Sequence, residues 1–521
     1  MKSVAVIGAG VSGLTSIKSC LEEGLDVTCY EKSENYGGLW RYRDEGVSVA
    51  KNTVMNTSKD IGAFSDFPPP KEFPQYMPHQ TMIKYLEMYA EKFQLNSKIH
   101  HNHEVLEIKK EVDYEETGRW KLRVMNKNTK EIFEKSFDGV MICTGHHDFP
   151  HIPPFPGLEN FKGHVVHTRN YKSAEGCEDK PVLIIGIGNS GADAAVDMSE
   201  TAKIVYLSAR GCFWVIPRLT KDNKPGDAAY RRRPIFLLQF ALPYFLLNFI
   251  TKYFIIKDID DITYNKKPDD LVLKYIPVVN DKLTENIRKG NVVLKNKIDH
   301  FTSDGVVFEG ETNVTKIDLV VLATGYDVKL PMIDSKIIST ENETLELYKY
   351  IFPPNLPHFT LGLIGFLQPF GAVFPIFELQ ARWFVMMLMN KVYRPSVEEM
   401  IKDIKDRRNL IQYGRWKSIR AEWIHYLDDI SASAGVRPDF FKLLFTDPIL
   451  FWKCYLGPCL PYQFRLKGYH TWKPARSLIL NYNDNPTLTT DENSYTKLNI
   501  MKILTCFLVM SLFSLLITVI F

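Results

Sequence analysis

The sequence predicts an α/β fold with two Rossmann-like units, and two observations support this prediction. Short runs of Val, Ile and Leu, typical of buried parallel strands, recur as VAVI, VMICT, VLIIG and VVLAT. The first and third runs lead into glycine-rich turns, GAGVSG at Gly8–Gly13 and GIGNSG at Gly186–Gly191, each followed by a helical pattern. Because a strand, a glycine turn and a helix in this order form a dinucleotide-binding unit, we expect two dinucleotide-binding domains.

The first glycine turn is followed by an acidic residue at a meaningful spacing. Glu31 lies 23 residues after Gly8, at the end of the next predicted strand. A carboxylate about 20 residues beyond the turn accepts hydrogen bonds from a ribose 2′-hydroxyl. It also disfavours a 2′-phosphate, so the first turn suits FAD or NAD.

The second glycine turn lacks this acid. At the equivalent spacing the chain reads Ser208, Ala209 and Arg210. A hydroxyl and a forked cation are the groups that select a 2′-phosphate, so the second turn suits NADPH. Two different dinucleotides imply hydride transfer from NADPH to a bound flavin. The electron acceptor beyond the flavin is left open between oxygen, a quinone and an external carrier.

Composition excludes several other classes of function. The formal charge is +3, from 64 basic and 61 acidic residues, which argues against a nucleic-acid-binding protein. The eight cysteines form no C-x-x-C pair, so we expect neither a redox dithiol nor a metal site. They indicate reduced, intracellular thiols.

The C-terminal segment 503–521 predicts a membrane anchor. It holds 19 uncharged residues, and as a helix it is roughly 28 Å long, close to the ~30 Å hydrocarbon core. Lys497 and Lys502 precede it, which favours a cytosolic location for the rest of the chain. A buried core helix is the alternative. A second apolar segment, 234–256, is interrupted by Pro243, Asn248 and Lys252, and suits either a membrane-surface contact or an ordinary core insertion.

At this point the sequence resembles a known family, the membrane-bound flavin-containing monooxygenases that oxygenate nitrogen and sulfur. The resemblance covers nearly the whole chain and is carried by GAGVSG, EKSENYGGLW, MNTSKD, FKGHVVHTRNYK, GIGNSG, LATGY, GPCLPYQFRL and the apolar tail. One departure is KGYHTWKPAR after GPCLPYQFRL, where the family commonly continues with a glycine-rich turn. The local geometry of residues 467–476 is therefore left open.

The resemblance implies a domain plan. We expect an FAD-binding domain in two parts, 1–150 and 326–470, with an NADP-binding domain inserted between them at 151–325. CTGH at Cys143–His146 and ATGY at Ala323–Tyr326 mark the two crossings. Residues of about 215–290 form an apolar insertion that contacts the membrane or a substrate channel. Residues 471–502 are expected to be a linker, and 503–521 a single-pass anchor in the endoplasmic reticulum membrane.

The resemblance also implies the cofactor sites, with no metal. FAD contacts are expected at Gly8, Ala9, Gly10, Val11, Ser12, Gly13, Glu31, Gly38, Leu39, Trp40, Asn56 and Thr57. NADP contacts are expected at Met55, Asn56, Gly186, Gly188, Asn189, Ser190, Gly191, Ala192, Asp193, Ser208 and Arg210.

Two further roles follow from the resemblance. Asn56 is the expected catalytic residue, whose amide lies by the flavin and the nicotinamide, although Asn-Thr-Ser also suits a turn or a helix N-cap. The family fingerprint in FKGHVVHTRNYK is carried by Phe161, Gly163, His167 and Tyr171. It implies a hinge between domains, and the sequence around His167 offers no carboxylate partner for a catalytic triad. A catalytic His167 is the alternative.

The implied reaction uses NADPH and O₂. NADPH reduces FAD, the flavin forms a C4a-hydroperoxide, and a soft nitrogen or sulfur of a small lipophilic substrate takes one oxygen atom. Three alternatives stay open: Baeyer–Villiger oxygenation of ketones, an NADPH:quinone reductase in the membrane, and a redox-sensing flavoprotein. Homo-oligomerisation also stays open.

Overall fold

The computed structural model of the protein describes residues 1–211, 213–235, 277–341, 344–410 and 419–483. The core of the predicted apolar insertion and the predicted anchor at 503–521 lie outside the described residues. Within the described part of the chain, no helix has the length and apolar character needed to cross a bilayer.

The N-terminal part of the chain contains most strands of a first sheet and several strands outside it. In chain order, the strands of this part are β1 (Ser3–Ile7), β2 (Asp26–Tyr30), β3 (Ile99–His100), β4 (His103–Lys110), β5 (Trp120–Asn126), β6 (Ile132–Phe137), β7 (Gly139–Ile142) and β8 (Phe149–Pro150). Its helices are α1 (Val11–Glu22), α2 (His79–Lys92) and α3 (Tyr114–Thr117), with 3₁₀ turns at Gly38–Trp40 and Asn96–Lys98.

The middle of the chain contains a second sheet and several strands outside it. In chain order, the strands of this part are β9 (His164–His167), β10 (Pro181–Ile185), β11 (Ile204–Ser208), β12 (Val215–Ile216), β13 (Val278–Val279), β14 (Val292–Lys295), β15 (Ile298–Phe301), β16 (Gly305–Phe308), β17 (Thr315–Lys316) and β18 (Leu319–Leu322). Its helices are α4 (Asn189–Met198), α5 (Gly226–Tyr230) and α6 (Leu283–Lys289), with a 3₁₀ turn at Leu158–Asn160.

The last part of the chain is mainly helical. It contains β19 (Tyr326–Asp327), β20 (Leu361–Leu363), β21 (Gln368–Pro369) and β22 (Arg420–Ala421). The helices are α7 (Phe374–Leu388), α8 (Val397–Leu410), α9 (Trp423–Ser433), α10 (Phe440–Thr446), α11 (Pro448–Tyr455) and α12 (Ala475–Asn481), with a 3₁₀ turn at Pro461–Arg465.

Both sheets are parallel and share one topology. The first has the order β20-β7-β1-β2-β3 and the second the order β14-β11-β10-β18-β9. In each, a glycine turn follows the central strand, β1 or β10, and starts a helix. The four strands predicted from the sequence are confirmed as β1, β7, β10 and β18.

Alternate residues of the central strands pack on opposite faces, as the period of two requires. In β1, Val4 and Val6 join a core cluster with α1 and α7, while Ala5 and Ile7 join a second cluster with Trp120 of the β4-β5-β6 meander. In β10, the same alternation places α4 on one face and the β15-β16-β17 meander on the other. Each unit is therefore a sheet between a helical layer and a meander.

The second sheet is inserted within the first. Strands β7 and β20, which pair in the first sheet, flank the whole of the second sheet in sequence. At the crossing points, β8 pairs antiparallel with β19, Phe149 opposite Asp327 and Pro150 opposite Tyr326. The two chain crossings therefore run side by side as one short ladder.

Candidate functional site

The first glycine turn brings the backbone of β1 and α1 unusually close together. A Cβ on Gly13 would lie 1.9 Å from the carbonyl oxygen of Gly8, and Gly8 itself has φ +96°. Gly10 precedes α1 without a side-chain cap. The first N–H groups of α1 are therefore presented to an anion, and the turn fits a pyrophosphate.

A second segment closes over this turn. Gly37 N–H donates to Ala9 O at 2.9 Å, and a Cβ on Gly38 would approach Gly10 Cα to 3.0 Å. The 3₁₀ turn Gly38–Trp40 therefore lies directly against the glycine turn. Ala9, Val11, Ser12 and Gly13 are buried, so a ligand held here is enclosed.

Glu31 lies beside the first turn, as its spacing predicts. Its Oε2 accepts from Ala9 N–H at 2.7 Å, and its Oε1 accepts from the N–H and hydroxyl of Ser33. Since a carboxylate has about four lone-pair positions, Oε2 keeps capacity for one hydroxyl donor. The Glu31 side chain is therefore fixed in place with room for a ribose hydroxyl.

The second turn has the same backbone design but a different exposure. A Cβ on Gly191 would lie 2.2 Å from Gly186 O, whereas a Cβ on Gly188 would meet nothing within 4 Å. Gly188, Asn189 and Ser190 are exposed. A pyrophosphate therefore fits here too, on an open face.

The helix after the second turn is tied to strand β13 and its continuation. Asn189 Oδ1 accepts from Val279 N–H at 2.9 Å, and Asp193 Oδ1 accepts from the amide of Asn280 at 2.9 Å. Burial raises the pKa of Asp193 to about 6. Ala192, also predicted as a contact, is buried against the sheet.

Ser208 and Arg210 differ in their surroundings at the end of β11. Ser208 is buried and its hydroxyl donates to Asn296 O at 2.8 Å. Arg210 is exposed. Gly186 N–H donates to Ser208 O at 3.0 Å, so Ser208 lies beside the second turn and Arg210 follows two residues later.

The stretch around Asn56 bridges the two units. Met55 is buried in the core of the first unit, and its N–H donates to Met77 O at 2.9 Å. From the second unit, Arg218 Nη2 donates to Asn56 Oδ1 at 2.7 Å. Asp227 accepts from the N–H of Ser58 at 2.7 Å and from its hydroxyl at 3.0 Å. The loop is therefore held by the first unit through Met77 and by the second unit through Arg218 and Asp227.

Arg218 and Asp227 were missed by the sequence reasoning. They lie more than 160 residues from Asn56 and Ser58 in the chain, and neither belongs to a recognisable local motif. Asn52, four residues before Asn56, also reaches the second unit, since its amide donates to Asp197 at 2.6 Å.

Three fingerprint residues, Phe161, Gly163 and Tyr171, make contacts within the second unit. Phe161 packs on Phe301 with ring centroids 5.5 Å apart, and a Cβ on Gly163 would clash with Asp318 O at 2.6 Å. Tyr171 is buried and donates its hydroxyl to Asp197. These contacts hold β9, the edge strand of the second sheet, and the loop after it in place within the second unit.

Both ring nitrogens of His167 take part in backbone hydrogen bonds. Arg169 N–H donates to Nδ1 at 3.1 Å, and Nε2 therefore carries the proton that it donates to Gly325 O at 3.0 Å. Burial lowers the pKa of His167. This geometry favours the hinge interpretation over proton transfer, because neither nitrogen is left to a substrate.

His146, His147 and His167 predict an acid-sensitive junction. Burial lowers the pKa of all three, that of His147 to about 4. Because the folded pKa lies below the unfolded value, their stabilisation is present above about pH 6.5 and is lost as the pH falls toward 4. For His147 we expect the free energy of unfolding to fall by about 1–2 kcal/mol between pH 7 and pH 5, and for His146 and His167 we expect a fall in the same direction.

Thermal melts at the two pH values check this expectation. His147→Phe should show a smaller acid shift than the unmodified protein, while His300→Gln, at an exposed position, should show the same shift. An equal shift in all three proteins would contradict the prediction.

No group of three or more His, Cys, Asp or Glu side chains suited to a metal ion occurs among the residues that the structure describes.

Comparison with known proteins agrees with this geometry. Residues 1–521 match the family described as "Flavin-binding monooxygenase-like". The chain is 38% identical to human "Flavin-containing monooxygenase 2" over 488 residues, covering 92% of this chain and 91% of that protein. It is 37% identical to "Flavin-containing monooxygenase 1" of Rattus norvegicus over 518 residues, covering 96% and 97%.

Solved structures share the fold. S-allyl-L-cysteine S-oxygenase from Allium sativum superposes with a TM-score of 0.65 at 21% identity, covering 92% of this chain and 99% of that chain. An oxidised steroid monooxygenase bound to NADP superposes with a TM-score of 0.62 at 18% identity, covering 83% and 98%.

The glycine turns fit two dinucleotides, and the family match extends over residues 1–521 of this chain. The chain therefore belongs to the flavin-binding monooxygenase-like family, as an FAD- and NADPH-dependent monooxygenase.

Proposed function

We propose that the protein oxygenates soft nucleophilic nitrogen and sulfur atoms of small lipophilic molecules, with NADPH as reductant and O₂ as oxygen source. The observation that carries this proposal is the clamped Asn56 loop, which lies where the two dinucleotide units meet. The relatives support it, because one is named "Dimethylaniline monooxygenase [N-oxide-forming] 2", from Macaca mulatta, at 38% identity.

In this proposal, FAD occupies the first turn. Its pyrophosphate lies on the N-terminus of α1, and Glu31 accepts from the ribose. The close approach of Gly38 to Gly10 is consistent with a flavin that stays bound through turnover. The full set of proposed contacts is Gly8, Ala9, Gly10, Val11, Ser12, Gly13, Glu31, Gly38, Leu39, Trp40, Asn56 and Thr57.

NADPH occupies the second turn. The exposure of Gly188 and Ser190 suits a cofactor that binds and leaves. The proposed contacts are Met55, Asn56, Gly186, Gly188, Asn189, Ser190, Gly191, Ala192, Asp193, Ser208 and Arg210. Because the Ser208 hydroxyl already donates to Asn296 O, Arg210 is the main recognition group for the 2′-phosphate.

When bound, the two cofactors supply hydride transfer and oxygen activation. The protein's own contribution is positional: Asn56 offers a neutral amide donor at the meeting point, and the buried first turn excludes water from the flavin side. A neutral donor stabilises developing negative charge without giving up its proton. No catalytic acid is required of the chain.

Arg210→Ala is expected to weaken NADPH binding by about 10- to 100-fold, because a charge-assisted pair with phosphate is lost. NADH lacks the 2′-phosphate and should bind with nearly unchanged affinity. Titration of both nucleotides against the oxidised protein measures the two dissociation constants. Equal losses for NADPH and NADH would contradict a role in 2′-phosphate recognition.

The proposed domain plan assigns 1–150 and 326–470 to FAD and 151–325 to NADP, with 471–502 as linker. We further propose that 503–521 anchors the protein in the endoplasmic reticulum membrane, on the strength of its 19 uncharged residues. Deleting residues from Ile503 onward should move the protein from the membrane pellet to the supernatant. Unchanged sedimentation would contradict the anchor.

Product analysis tests the proposed reaction directly. The purified protein with NADPH, O₂ and either N,N-dimethylaniline or a dialkyl thioether should yield the N-oxide or S-oxide, detected by mass spectrometry with ¹⁸O from ¹⁸O₂. NADPH consumption without either oxide would contradict nitrogen and sulfur oxygenation. Ester formation from a ketone under the same conditions would favour Baeyer–Villiger activity instead.

A further inference from the structure

Arg218 makes an unusually complete set of contacts at the Asn56 loop. Its Nη2 donates to Asn56 Oδ1 at 2.7 Å and, more weakly, to Val54 O at 3.4 Å, while its Nε donates to Met55 O at 3.3 Å. Its side chain is 10% exposed. The guanidinium therefore grips three consecutive residues of the loop.

Arg218 is itself held rigidly by Asp281. Arg218 N–H donates to Asp281 Oδ1 at 2.8 Å, and Arg218 Nη1 donates to Asp281 Oδ2 at 2.6 Å. Its carbonyl oxygen accepts from Gly226 N–H at 2.8 Å and from the Tyr76 hydroxyl. Backbone and side chain are both fixed, so the guanidinium cannot follow a reorientation of Asn56.

This contact determines which way the Asn56 amide faces. A guanidinium has donors and no acceptor, so only the carbonyl oxygen of the amide can point toward Arg218. The NH₂ group is forced to the other side of the side chain. Among the described residues, no group accepts a hydrogen bond from Asn56 Nδ2, so the donor remains available to a ligand.

We propose that Arg218 is a positioning residue that locks the Asn56 carboxamide with its NH₂ donor directed toward the cofactors. This inference rests on the proposed function, which places Asn56 between flavin and nicotinamide. Without Arg218, the amide can rotate by half a turn and present its oxygen instead. An oxygen in that place repels the negative charge that a donor would stabilise.

Arg218 and Asp281 each follow one strand of a short two-stranded sheet. Arg218 follows β12 and Asp281 follows β13, and these two strands pair in parallel, Val215 with Val278 and Ile216 with Val279. The paired strands therefore bring Arg218 and Asp281 together.

A double-mutant comparison tests the proposal. In coupled turnover, substrate, NADPH, a proton and O₂ yield oxygenated substrate, NADP⁺ and water. In uncoupled turnover, NADPH, a proton and O₂ yield NADP⁺ and hydrogen peroxide. Arg218→Met should raise hydrogen peroxide released per NADPH by about tenfold, the loss expected for one charge-assisted hydrogen bond. Anaerobic flavin reduction by NADPH should change by less than about threefold, because hydride transfer does not use the amide.

The Arg218→Met and Asn56→Ala effects should not multiply. If Arg218 acts only through Asn56, the double variant releases no more peroxide than Asn56→Ala alone. Arg218→Lys, which keeps a cation and a donor, should restore part of the coupling. Multiplying effects, or a full loss of coupling in Arg218→Lys, would overturn the proposal.

A second readout does not depend on turnover. NADP⁺ added to the oxidised protein should perturb the flavin absorption spectrum. The perturbation should be altered in the same way by Arg218→Met and by Asn56→Ala, and be retained in Arg218→Lys. Arg476→Ala, which removes an exposed arginine paired with Asp447, is the matched control and should behave as the unmodified protein in both assays. Different spectral changes in Arg218→Met and Asn56→Ala would overturn the proposal.

The outcomes separate this inference from the proposed function. Normal coupling in Asn56→Ala overturns this inference while the oxygenation itself stands, whereas NADPH consumption without N-oxide or S-oxide in the unmodified protein overturns the proposed function. Uncoupling in Asn56→Ala with normal coupling in Arg218→Met overturns the positioning role alone. Should Arg218→Met fail to fold, Asp281→Asn keeps the guanidinium and weakens only its anchor, and it should show an intermediate rise in peroxide. No rise in that variant would overturn the proposal.

Discussion

Arg465→Ala is expected to lower the free energy of unfolding by about 3–5 kcal/mol, because it leaves buried carboxylates without their cation. Arg465 Nη2 lies 2.7 Å from Glu378 Oε1 and 2.9 Å from Asp66 Oδ2, and the side chains of Arg465 and Glu378 are 1% and 2% exposed. Arg465 Nε also donates to the Ser65 hydroxyl at 2.7 Å. Removal of this one side chain therefore disturbs three partners at once.

The electrostatics explain why the set tolerates burial. Burial acts to raise the pKa of Glu378, but the cations Arg465, Lys18 and Arg382 outweigh it and hold the pKa well below its usual range. Glu378 therefore stays ionised, and Arg465 is the largest favourable contribution to its charge. The fall in stability should consequently be larger at neutral pH than below the pKa of a free carboxyl group.

Urea denaturation at pH 7, followed by tryptophan fluorescence, measures the change. Arg476→Ala is the matched control, since Arg476 is 56% exposed in its pair with Asp447, and it should change the stability by less than about 1 kcal/mol. Similar small changes in both variants would show that the buried set does not stabilise the fold.

Gly13→Ala is expected to abolish flavin binding. The new Cβ would lie 1.9 Å from Gly8 O, a distance that forces α1 away from β1. Because the pyrophosphate is held by the N-terminus of α1, this displacement removes the cradle. The purified variant should be colourless, with less than about a tenth of the flavin content of the unmodified protein.

Two glycine variants separate this effect from general instability. Gly211→Ala adds a Cβ that meets nothing within 4 Å, and should keep its full flavin content. Gly188→Ala also adds a Cβ into open space, and should keep the flavin while weakening NADPH. Full flavin content in Gly13→Ala, measured by absorbance after denaturation, would contradict a role of the first turn in flavin binding.

The parts of the fold that the sequence predicts are those with local causes. A glycine that follows a buried strand is required because the next helix returns close to that strand, and all residues involved are neighbours in the chain. For this reason the two turns and the flanking strands were predicted at the correct residues. Glu31 was also found beside its turn, because β2 pairs with β1 along its whole length.

The clamp and the buried ionic set could not be predicted in this way. Arg218 reaches Asn56, and Arg465 reaches Ser65, across long separations in the chain. The residue types alone do not distinguish these arginines from exposed ones such as Arg210. Ser208 and Arg210 were predicted together as recognition groups for a 2′-phosphate. The burial of Ser208 and the exposure of Arg210 depend on where β14 ends.

The insertion of one sheet within another also sets an order of events during synthesis. Strand β20 occupies the edge next to β7, so the ribosome must deliver the whole intervening unit before the N-terminal sheet is complete. The inner unit has all five of its own strands between β9 and β18 and can fold first. A nascent chain stalled after β19 should therefore resist protease in its middle while its N-terminal third is still digested.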